Sequence, residues 1–380
     1  MSEELYKKAG NIIIKAGMLP FPVTDTLIEI LKMLYTEEEL KFIVKTFKRK
    51  VSQTVEEIIK NSKMEEKEFM PILESLVKKG AVFKSTSSKG LTIYRLLPPI
   101  FIGIFEYYLM KKINHTEEEK KMAVLFKKLF DEIRDIVQDK YDIFIPTFQN
   151  VPPIDRTIPI LKREDGKEIT IEIDKQVEVP TEKVVPMQQI EAIIEKFDDI
   201  AVGHCFCRQH KDLLGEPCKW NAPRETCFTF GKSARFTAEQ GFARLISKEE
   251  ALKIINEAEE AGLVHKVYHP RGDILKDETS LCNCCSDCCG TFELWRGGTM
   301  PMINSTNYIS IINQDQCVGC GTCVERCPVS AIELNDDNKA ERREEWCIGC
   351  GVCAHFCPEG AISLKEGPRK VFVPPPRLRS

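Results

Sequence analysis

Two cysteine-rich runs with the same spacing constrain this chain more than any other feature of its sequence. Each run has the form C-x2-C-x2-C-x3-C, from Cys317 to Cys327 and from Cys347 to Cys357, and a proline follows each. The first three cysteines of a run lie on one tight loop, and the glycines between them let the backbone curl around the thiols. A zinc ribbon would show separate C-x2-C pairs instead. The spacing therefore favours two sites that each bind several metal atoms.

The duplicated run resembles the pattern of bacterial-type two-cluster ferredoxins, over residues 307–366 with short strands at AIEL and AISL. The resemblance implies two [4Fe–4S] clusters, one-electron transfer at low potential, and a fourth cysteine of each run that crosses to the other cluster. Cluster I would take Cys317, Cys320, Cys323 and Cys357. Cluster II would take Cys347, Cys350, Cys353 and Cys327. Because all of these thiolates would bind iron, no open coordination site is expected there.

The distribution of cysteines indicates metal binding in a reducing compartment. The chain has 17 cysteines, and its first 204 residues contain none. A disulfide framework would be small, secreted and evenly spaced. The formal net charge of −4 implies no polyanionic partner for the whole chain. We find no signal peptide and no apolar run near the roughly 18–20 residues that span a bilayer, so we expect a cytoplasmic protein.

Nine further cysteines precede the duplicated runs, and the sequence leaves their metal open. They are Cys205, Cys207, Cys218, Cys227, Cys282, Cys284, Cys285, Cys288 and Cys289. All nine are candidate ligands of one or two additional iron–sulfur clusters, which the neighbouring ferredoxin pattern favours. A zinc site and free or catalytic thiols are the alternatives.

Adjacent cysteines restrict how these thiols can be shared. In an extended segment neighbouring side chains point to opposite sides, so Cys284 and Cys285 do not easily reach one metal. Such a pair is better suited to two different sites, or to one ligand and one spectator. Nine thiols could fill two four-ligand sites with one left over, and the spacing does not assign them.

Residues 200–366 resemble uncharacterised ferredoxin-domain proteins of anaerobes. The resemblance rests on the C-x-C-R run at Cys205, the capped helix that ends in G-L-V-H, and the C-N-C-C-x-x-C-C run from Cys282. It implies a redox role without naming a substrate. Cys288-Cys289-Gly290 also resembles the Cys-Cys-Gly motif of heterodisulfide reductase-type proteins, but the second half of that motif is missing.

The N-terminal region resembles a winged helix-turn-helix domain over about residues 24–98. Helices are predicted at 54–62 and 64–80, followed by a β-hairpin at 81–99. Between Lys41 and Arg95 the chain has thirteen Lys and Arg but six Asp and Glu, a net charge of +7. The second helix nevertheless begins MEEKEFM, with Glu65 and Glu66 where a DNA reader needs basic or amide side chains. Protein docking or homodimerisation is therefore favoured over DNA binding.

These patterns predict an α+β protein of several domains. They are a winged-helix-like domain at 1–115, a connecting helix at 116–141, a cysteine-rich mixed α/β domain at 142–300, a two-cluster ferredoxin domain at 301–366 and a tail at 367–380. The leading hypothesis is a multi-cluster electron-transfer protein that connects a redox enzyme with a ferredoxin-like donor or acceptor in an anaerobic cytoplasm. The alternatives are a redox-sensing transcriptional regulator and an oxidoreductase that acts on a disulfide or small molecule. No residue is predicted to be catalytic.

Overall fold

The chain folds into two compact units, each built from separate stretches of sequence. The computed structural model describes residues 3–17, 21–87, 90–172, 190–270, 273 and 276–378. The first unit comprises Met1–Ile136, Gly203–Glu216 and Lys232–Leu245. The second comprises Val137–Val202, Pro217–Gly231 and Ile246–Ser380. This division differs from the predicted domain map, because two segments of the region 142–300 belong to the N-terminal unit.

The first unit is mainly helical. Its helices are α1 (Glu3–Ala16), α2 (Asp25–Leu34), α3 (Glu37–Thr46), α4 (Val55–Ser62), α5 (Glu66–Lys78), α6 (Ile104–Met110) and α7 (Glu117–Asp139), and its strands are β1 (Ser52–Gln53), β2 (Val82–Thr86) and β3 (Thr92–Leu96). The strands form a sheet in the order β1–β3–β2. The connecting helix predicted at 116–141 corresponds to α7, whose last turn belongs to the second unit.

Two capped helices and a hairpin follow one another in the predicted order. Thr54 accepts a hydrogen bond from the backbone of Glu57, and the Glu57 carboxylate accepts one in return, a capping box that starts α4. Pro71 lies inside the second helix without interrupting it, because α5 continues to Lys78. Its ring removes one backbone donor, and burial of one face of the helix outweighs that loss.

The second unit combines a mixed sheet with short helices. Its elements include α8 (Tyr141–Gln149), β4 (Asp155–Ile158), β5 (Ile171–Glu172), α9 (Ile190–Glu195), β6 (Ile200–His204), β7 (Glu225–Phe230), α12 (Lys248–Glu260), β9 (Val264–Tyr268), β10 (Ser280–Cys284), α13 (Gly290–Arg296), β11 (Met302–Ile312), α14 (Thr322–Arg326), β12 (Ile332–Leu334), β13 (Ala340–Arg342), α15 (Val352–His355) and β14 (Ile362–Val373). Four elements lie in, or cross into, the inserted segments of the first unit: β6, α10 (Phe206–Leu213), α11 (Lys232–Glu239) and β8 (Arg244–Ile246).

One sheet joins the cysteine-rich region to the duplicated runs. Its strands lie in the order β5–β14–β11–β4–β9–β10–β7–β6. The long strands β11 and β14 pair antiparallel, and β4 pairs with β11 in parallel at Asn304 and Asp155. The predicted boundary at residue 300 is therefore not a boundary between compact units. The predicted tail, 367–380, also begins within β14, which continues to Val373.

The helix α12 begins with a side-chain cap, as its sequence predicts. Ser247 accepts a hydrogen bond from the backbone nitrogen of Glu250 at 3.2 Å and so starts the helix.

None of the helices within the described ranges combines the length and apolar character that a bilayer crossing requires.

Candidate metal centres

Four cysteines of the duplicated runs line one cavity of about 370 Å³. They are Cys317, Cys320, Cys323 and Cys357. Cys317 and Cys320 lie on the loop that leads into α14, Cys323 lies in the first turn of α14, and Cys357 follows α15. Cys320 is the exposed member, and it lies beside Val318, whose surface is 60% exposed. This cavity therefore has an edge open to solvent.

The other four cysteines line a second cavity of about 340 Å³. They are Cys347, Cys350, Cys353 and Cys327. The fourth cysteine of each run thus lines the cavity formed by the other run. Cys347, Cys350 and Cys353 are all buried, so this cavity lies deeper than the first.

Hydrogen-bond donors point at several of these sulfurs. The backbone nitrogens of Ala340 and Ala331 donate to the Sγ atoms of Cys317 and Cys327 at 3.4 and 3.2 Å. The hydroxyl group of Ser310 lies 3.6 Å from the Sγ atom of Cys347. Such donors stabilise negative charge on sulfur, which is the form that binds a metal.

Burial alone disfavours the thiolate form that metal binding requires. It raises the pKa of Cys323 and that of Cys327, each to about 11, and it raises the pKa of Cys350 still further. Thiolates packed this closely in an apolar setting are stable only with compensating positive charge, as iron provides.

The residues present fit a [4Fe–4S] cube in each cavity. Each cavity offers four thiols and otherwise mainly apolar walls. Gly349 has φ of 63°, and a Cβ atom there would collide with the carbonyl oxygen of Tyr308. Only glycine allows the loop to fold so closely around the thiols.

Comparison with known proteins agrees with this geometry. Residues 310–364 match the family described as 4Fe-4S dicluster domain. Residues 310–364 are a two-cluster ferredoxin domain.

The relatives match short stretches of this chain. A probable ferredoxin from Methanosarcina thermophila is 53% identical over 32 residues, which are 8% of this chain and 55% of that protein. The ferredoxin-type protein NapF from Haemophilus influenzae is 39% identical over 59 residues, 14% of this chain and 29% of that protein. Ferredoxin-2 from Desulfomicrobium norvegicum is 48% identical over 29 residues, which are 8% of this chain and 49% of that protein. The chain spans about half, or less, of the length of these curated relatives.

Outside the ferredoxin domain, three buried cysteines form a tight group. The Sγ atoms of Cys218, Cys285 and Cys288 all lie within 4.8 Å of one another. Those of Cys218 and Cys285 are 3.6 Å apart. Hydrogen bonds with Cys285 and Cys288 lower the pKa of the Cys218 thiol, while sharing a proton with Cys218 raises the pKa of Cys285. We call these residues the trithiol group.

Three other cysteines of the same unit interact beside a buried cation. Hydrogen bonds with the thiols of Cys282 and Cys289, together with burial, raise the pKa of Cys284. Cys282 and Cys284 lie on one face of β10, and Cys227 lies directly across from Cys282 on β7. Lys266 lies opposite Cys282 on the other side, in β9. We call Cys282, Cys284 and Cys289 the β10 group.

The adjacent cysteines are thus divided between two groups. Cys284 and Cys289 belong to the β10 group, and their neighbours Cys285 and Cys288 belong to the trithiol group. This division follows the geometric argument made from the sequence. Cys205 and Cys207 instead lie in the first unit, at the start of α10. Arg208, which follows Cys207, has no exposed surface.

Two charged residues lie near these thiols, and no sequence pattern predicted either of them. The Lys266 ammonium group is fully buried, 2.6 Å from the carboxylate of Asp155. Burial by itself lowers the pKa of Lys266. The negative charges of Asp155, Cys284 and Cys289 outweigh this effect, so the pKa of Lys266 is raised overall. The guanidinium carbon of Arg326 lies 3.9 Å from the ring centre of Trp220 and 4.1 Å from that of Phe356. These contacts link the segment after Cys218 to the ferredoxin domain.

Proposed function

We propose that this chain is a multi-cluster iron–sulfur electron-transfer protein in an anaerobic cytoplasm. It would carry low-potential electrons between a redox enzyme and a ferredoxin-like donor or acceptor. The observation that carries this proposal is the pair of cavities, each lined by three cysteines of one run and the fourth of the other. When bound, the two clusters supply reversible one-electron chemistry.

We further propose which thiols hold which cluster. Cluster I would be held by Cys317, Cys320, Cys323 and Cys357, and cluster II by Cys347, Cys350, Cys353 and Cys327. With every thiol used for iron, neither cluster offers a position at which a substrate can bind. This favours an electron carrier over an enzyme within the ferredoxin domain.

A docking edge for a protein partner is proposed at cluster I. Cys320 is exposed, and the neighbouring Val318 presents an apolar side chain to solvent. Electron transfer needs a close approach of the two redox centres, and an exposed apolar residue beside a ligand supports weak protein docking.

A third cluster is proposed at the β10 group, with Cys227 as a further candidate ligand. Cys284 and Cys289 belong to the same hydrophobic core as Cys347 and Cys350 of cluster II. That shared core supports a route from the docking edge through clusters I and II toward the β10 group. The buried cation Lys266 beside this group also favours a second candidate function, reduction of a disulfide or small molecule there.

The test begins with protein purified without oxygen. Three cubes predict about 12 irons and 12 sulfides per chain, and reversible reduction by a low-potential ferredoxin. About eight irons would remove the third cluster while leaving electron transfer intact. A protein that takes up iron but cannot be reduced reversibly would contradict the proposed function itself.

The docking edge is tested by one charge substitution. Val318→Glu should slow electron exchange with the ferredoxin at least about tenfold by disrupting an apolar contact. Val124→Glu, at an exposed apolar residue of the first unit, is the matched control and should leave the rate unchanged. Equal rates for Val318→Glu and the wild type would place docking elsewhere.

A further inference from the structure

We propose that the trithiol group, Cys218, Cys285 and Cys288, binds a single zinc ion and not an iron–sulfur cube. This departs from the sequence expectation that these thiols belong to additional clusters. It goes beyond the proposed function, because zinc has no redox chemistry of its own.

The spacing of the sulfur atoms fits one metal ion. Zinc–thiolate bonds are about 2.3 Å long, so two sulfurs at corners of a tetrahedron around zinc are about 3.8 Å apart. The observed separation of the Cys218 and Cys285 Sγ atoms is 3.6 Å. All three sulfurs lie within 4.8 Å of one another.

The ferredoxin domain provides an internal comparison. Its thiols are arranged for cubes, in which each thiolate binds a different iron and the sulfurs are therefore farther apart. Among the described residues, neither of its cysteine quartets contains three sulfurs grouped within 4.8 Å, as the trithiol group does. The same chain thus shows two kinds of thiol spacing, one for cubes and one for a single ion.

Contacts other than the thiols hold the two segments of the site together. The indole nitrogen of Trp220 donates to the hydroxyl of Ser286 at 3.1 Å. The backbone nitrogen of Lys219 donates to the Asp287 carboxylate at 3.0 Å. The side chain of Arg296 donates to the Ser286 carbonyl oxygen at 2.7 Å. The first two bonds position Cys218 against a loop that follows it by more than sixty residues, and the third stabilises that loop itself.

All three thiols of the proposed zinc site are buried. Cys285 and Cys288 are each 2% exposed, and Cys218 is 8% exposed. Thiolate ligands select soft or borderline ions such as zinc. The ion would fix the loop between Cys285 and Cys288, and with it the adjacent residues Cys284 and Cys289 of the β10 group.

The experiment measures zinc and iron together in the full-length protein, purified without oxygen and without a histidine tag. We expect one zinc per chain, and zinc-edge X-ray absorption dominated by sulfur at about 2.3 Å. Absence of zinc, or a first shell of nitrogen and oxygen that marks an adventitious ion only, would overturn the proposal. Neither result would alter the iron content or reduction on which the proposed function depends.

Two neighbouring variants separate the trithiol group from the β10 group. Cys285→Ser should lose the zinc equivalent and keep the iron of the ferredoxin domain. Cys284→Ser, its adjacent control, should keep the zinc. Zinc retained in Cys285→Ser would overturn the assignment, as would equal loss of zinc in both variants. The absorption spectrum of the wild type decides the case even if a variant fails to fold.

Discussion

Lys266 lies beside the cysteines of the proposed third cluster, opposite Cys282 in the sheet. It has no exposed surface, pairs with Asp155, and lies 5.1 Å from the ring centre of Phe292. A buried positive charge beside cluster ligands stabilises the reduced, more negative state. The side chain therefore favours uptake of an electron at the β10 group.

Substitution of Lys266 by methionine should lower the midpoint potential of the third cluster. The expected shift is on the order of 100 mV, which corresponds to one charge at roughly 7 Å in an effective dielectric of 20. The potentials of the two ferredoxin clusters should change much less. Redox titration followed by electron paramagnetic resonance measures the three centres separately.

Lys253→Met is the matched control for this charge change. Lys253 lies on α12 with its side chain 78% exposed, so solvent screens its charge. An unchanged potential in Lys266→Met, or an equal shift in both variants, would show that Lys266 does not tune a cluster.

The sequence predicts the cysteines far better than the residues that surround them. The ferredoxin cysteines follow a local spacing, and every ligand set is readable within one or two loops. Lys266 acquires its role from Asp155, more than a hundred positions away, through pairing of β4 with β9. Arg326 likewise acquires its role from Trp220. No local pattern encodes such contacts.

Among the elements, the charge at the start of α5 determines whether the N-terminal hairpin region is suited to bind DNA or protein. Its first turn contains Glu66 and Glu68, and both are exposed, as is Glu65 immediately before it. Carboxylates at the exposed start of this helix would repel phosphates and the acceptor-rich edges of bases. The winged-helix-like fold that we propose for residues 24–98 is therefore better suited to proteins than to DNA.

We predict that the chain with intact clusters does not bind duplex DNA above the weak nonspecific level. Fluorescence anisotropy with random duplexes, from low to physiological salt, measures this. A triple variant, Glu65→Gln with Glu66→Gln and Glu68→Gln, should raise nonspecific affinity several-fold, because it removes three negative charges. Tight binding by the wild type that withstands physiological salt would instead favour the regulator hypothesis.

A buried histidine on α10 makes the first unit sensitive to pH. The Nε2 atom of His210 donates to the carbonyl oxygen of Ala123 on α7 at 2.9 Å, and its ring meets the edge of Phe105. Burial lowers the pKa of His210 from 6.5 to about 4. The folded unit therefore holds this ring neutral, whereas the unfolded chain protonates it near pH 6.5.

Between pH 6.5 and pH 4 the first unit should lose stability as the pH falls, because the unfolded chain binds the additional proton. The full effect is roughly 3 kcal/mol. Hydrogen exchange of α7 peptides at pH 7 and pH 5 measures it. His210→Gln keeps a neutral donor to Ala123, so its α7 should be protected equally at both pH values after correction for intrinsic rates.

The outcome for His210→Gln identifies the group responsible. Lys127, Lys211 and Glu216 also act on His210 electrostatically. If wild type and His210→Gln lose protection in parallel, another group causes the pH dependence.

At the scale of the whole molecule, the sequence indicates the kinds of element but not how they combine. The helices at 117–139 and after Ser247 follow from periodicity and capping, which are local. The division into two units places residues 203–216 and 232–245 with the N-terminal residues, and no local pattern in the sequence indicates this placement. Parallel pairing of β4 with β11 spans about 150 residues and is equally invisible locally.

The different depths of the two ferredoxin cavities predict the order in which the clusters are lost. Cys320 is exposed at the first cavity, whereas Cys347, Cys350 and Cys353 are buried around the second. An oxidant or chelator in solution reaches an exposed ligand first. Brief exposure to air should therefore remove about four of the eight ferredoxin irons in a fast phase, and the rest more slowly.

Electron paramagnetic resonance of the reduced protein follows this loss directly, because two nearby reduced clusters interact and one alone does not. The interacting signal should convert to that of an isolated cluster during the fast phase. Cys320→Ser should accelerate the fast phase alone, since it weakens the exposed corner of cluster I. Cys350→Ser removes a ligand of cluster II, so only the fast phase of iron loss should remain. A single phase in the wild type, or equal acceleration of both phases by Cys320→Ser, would contradict the assignment of cluster I to the exposed cavity.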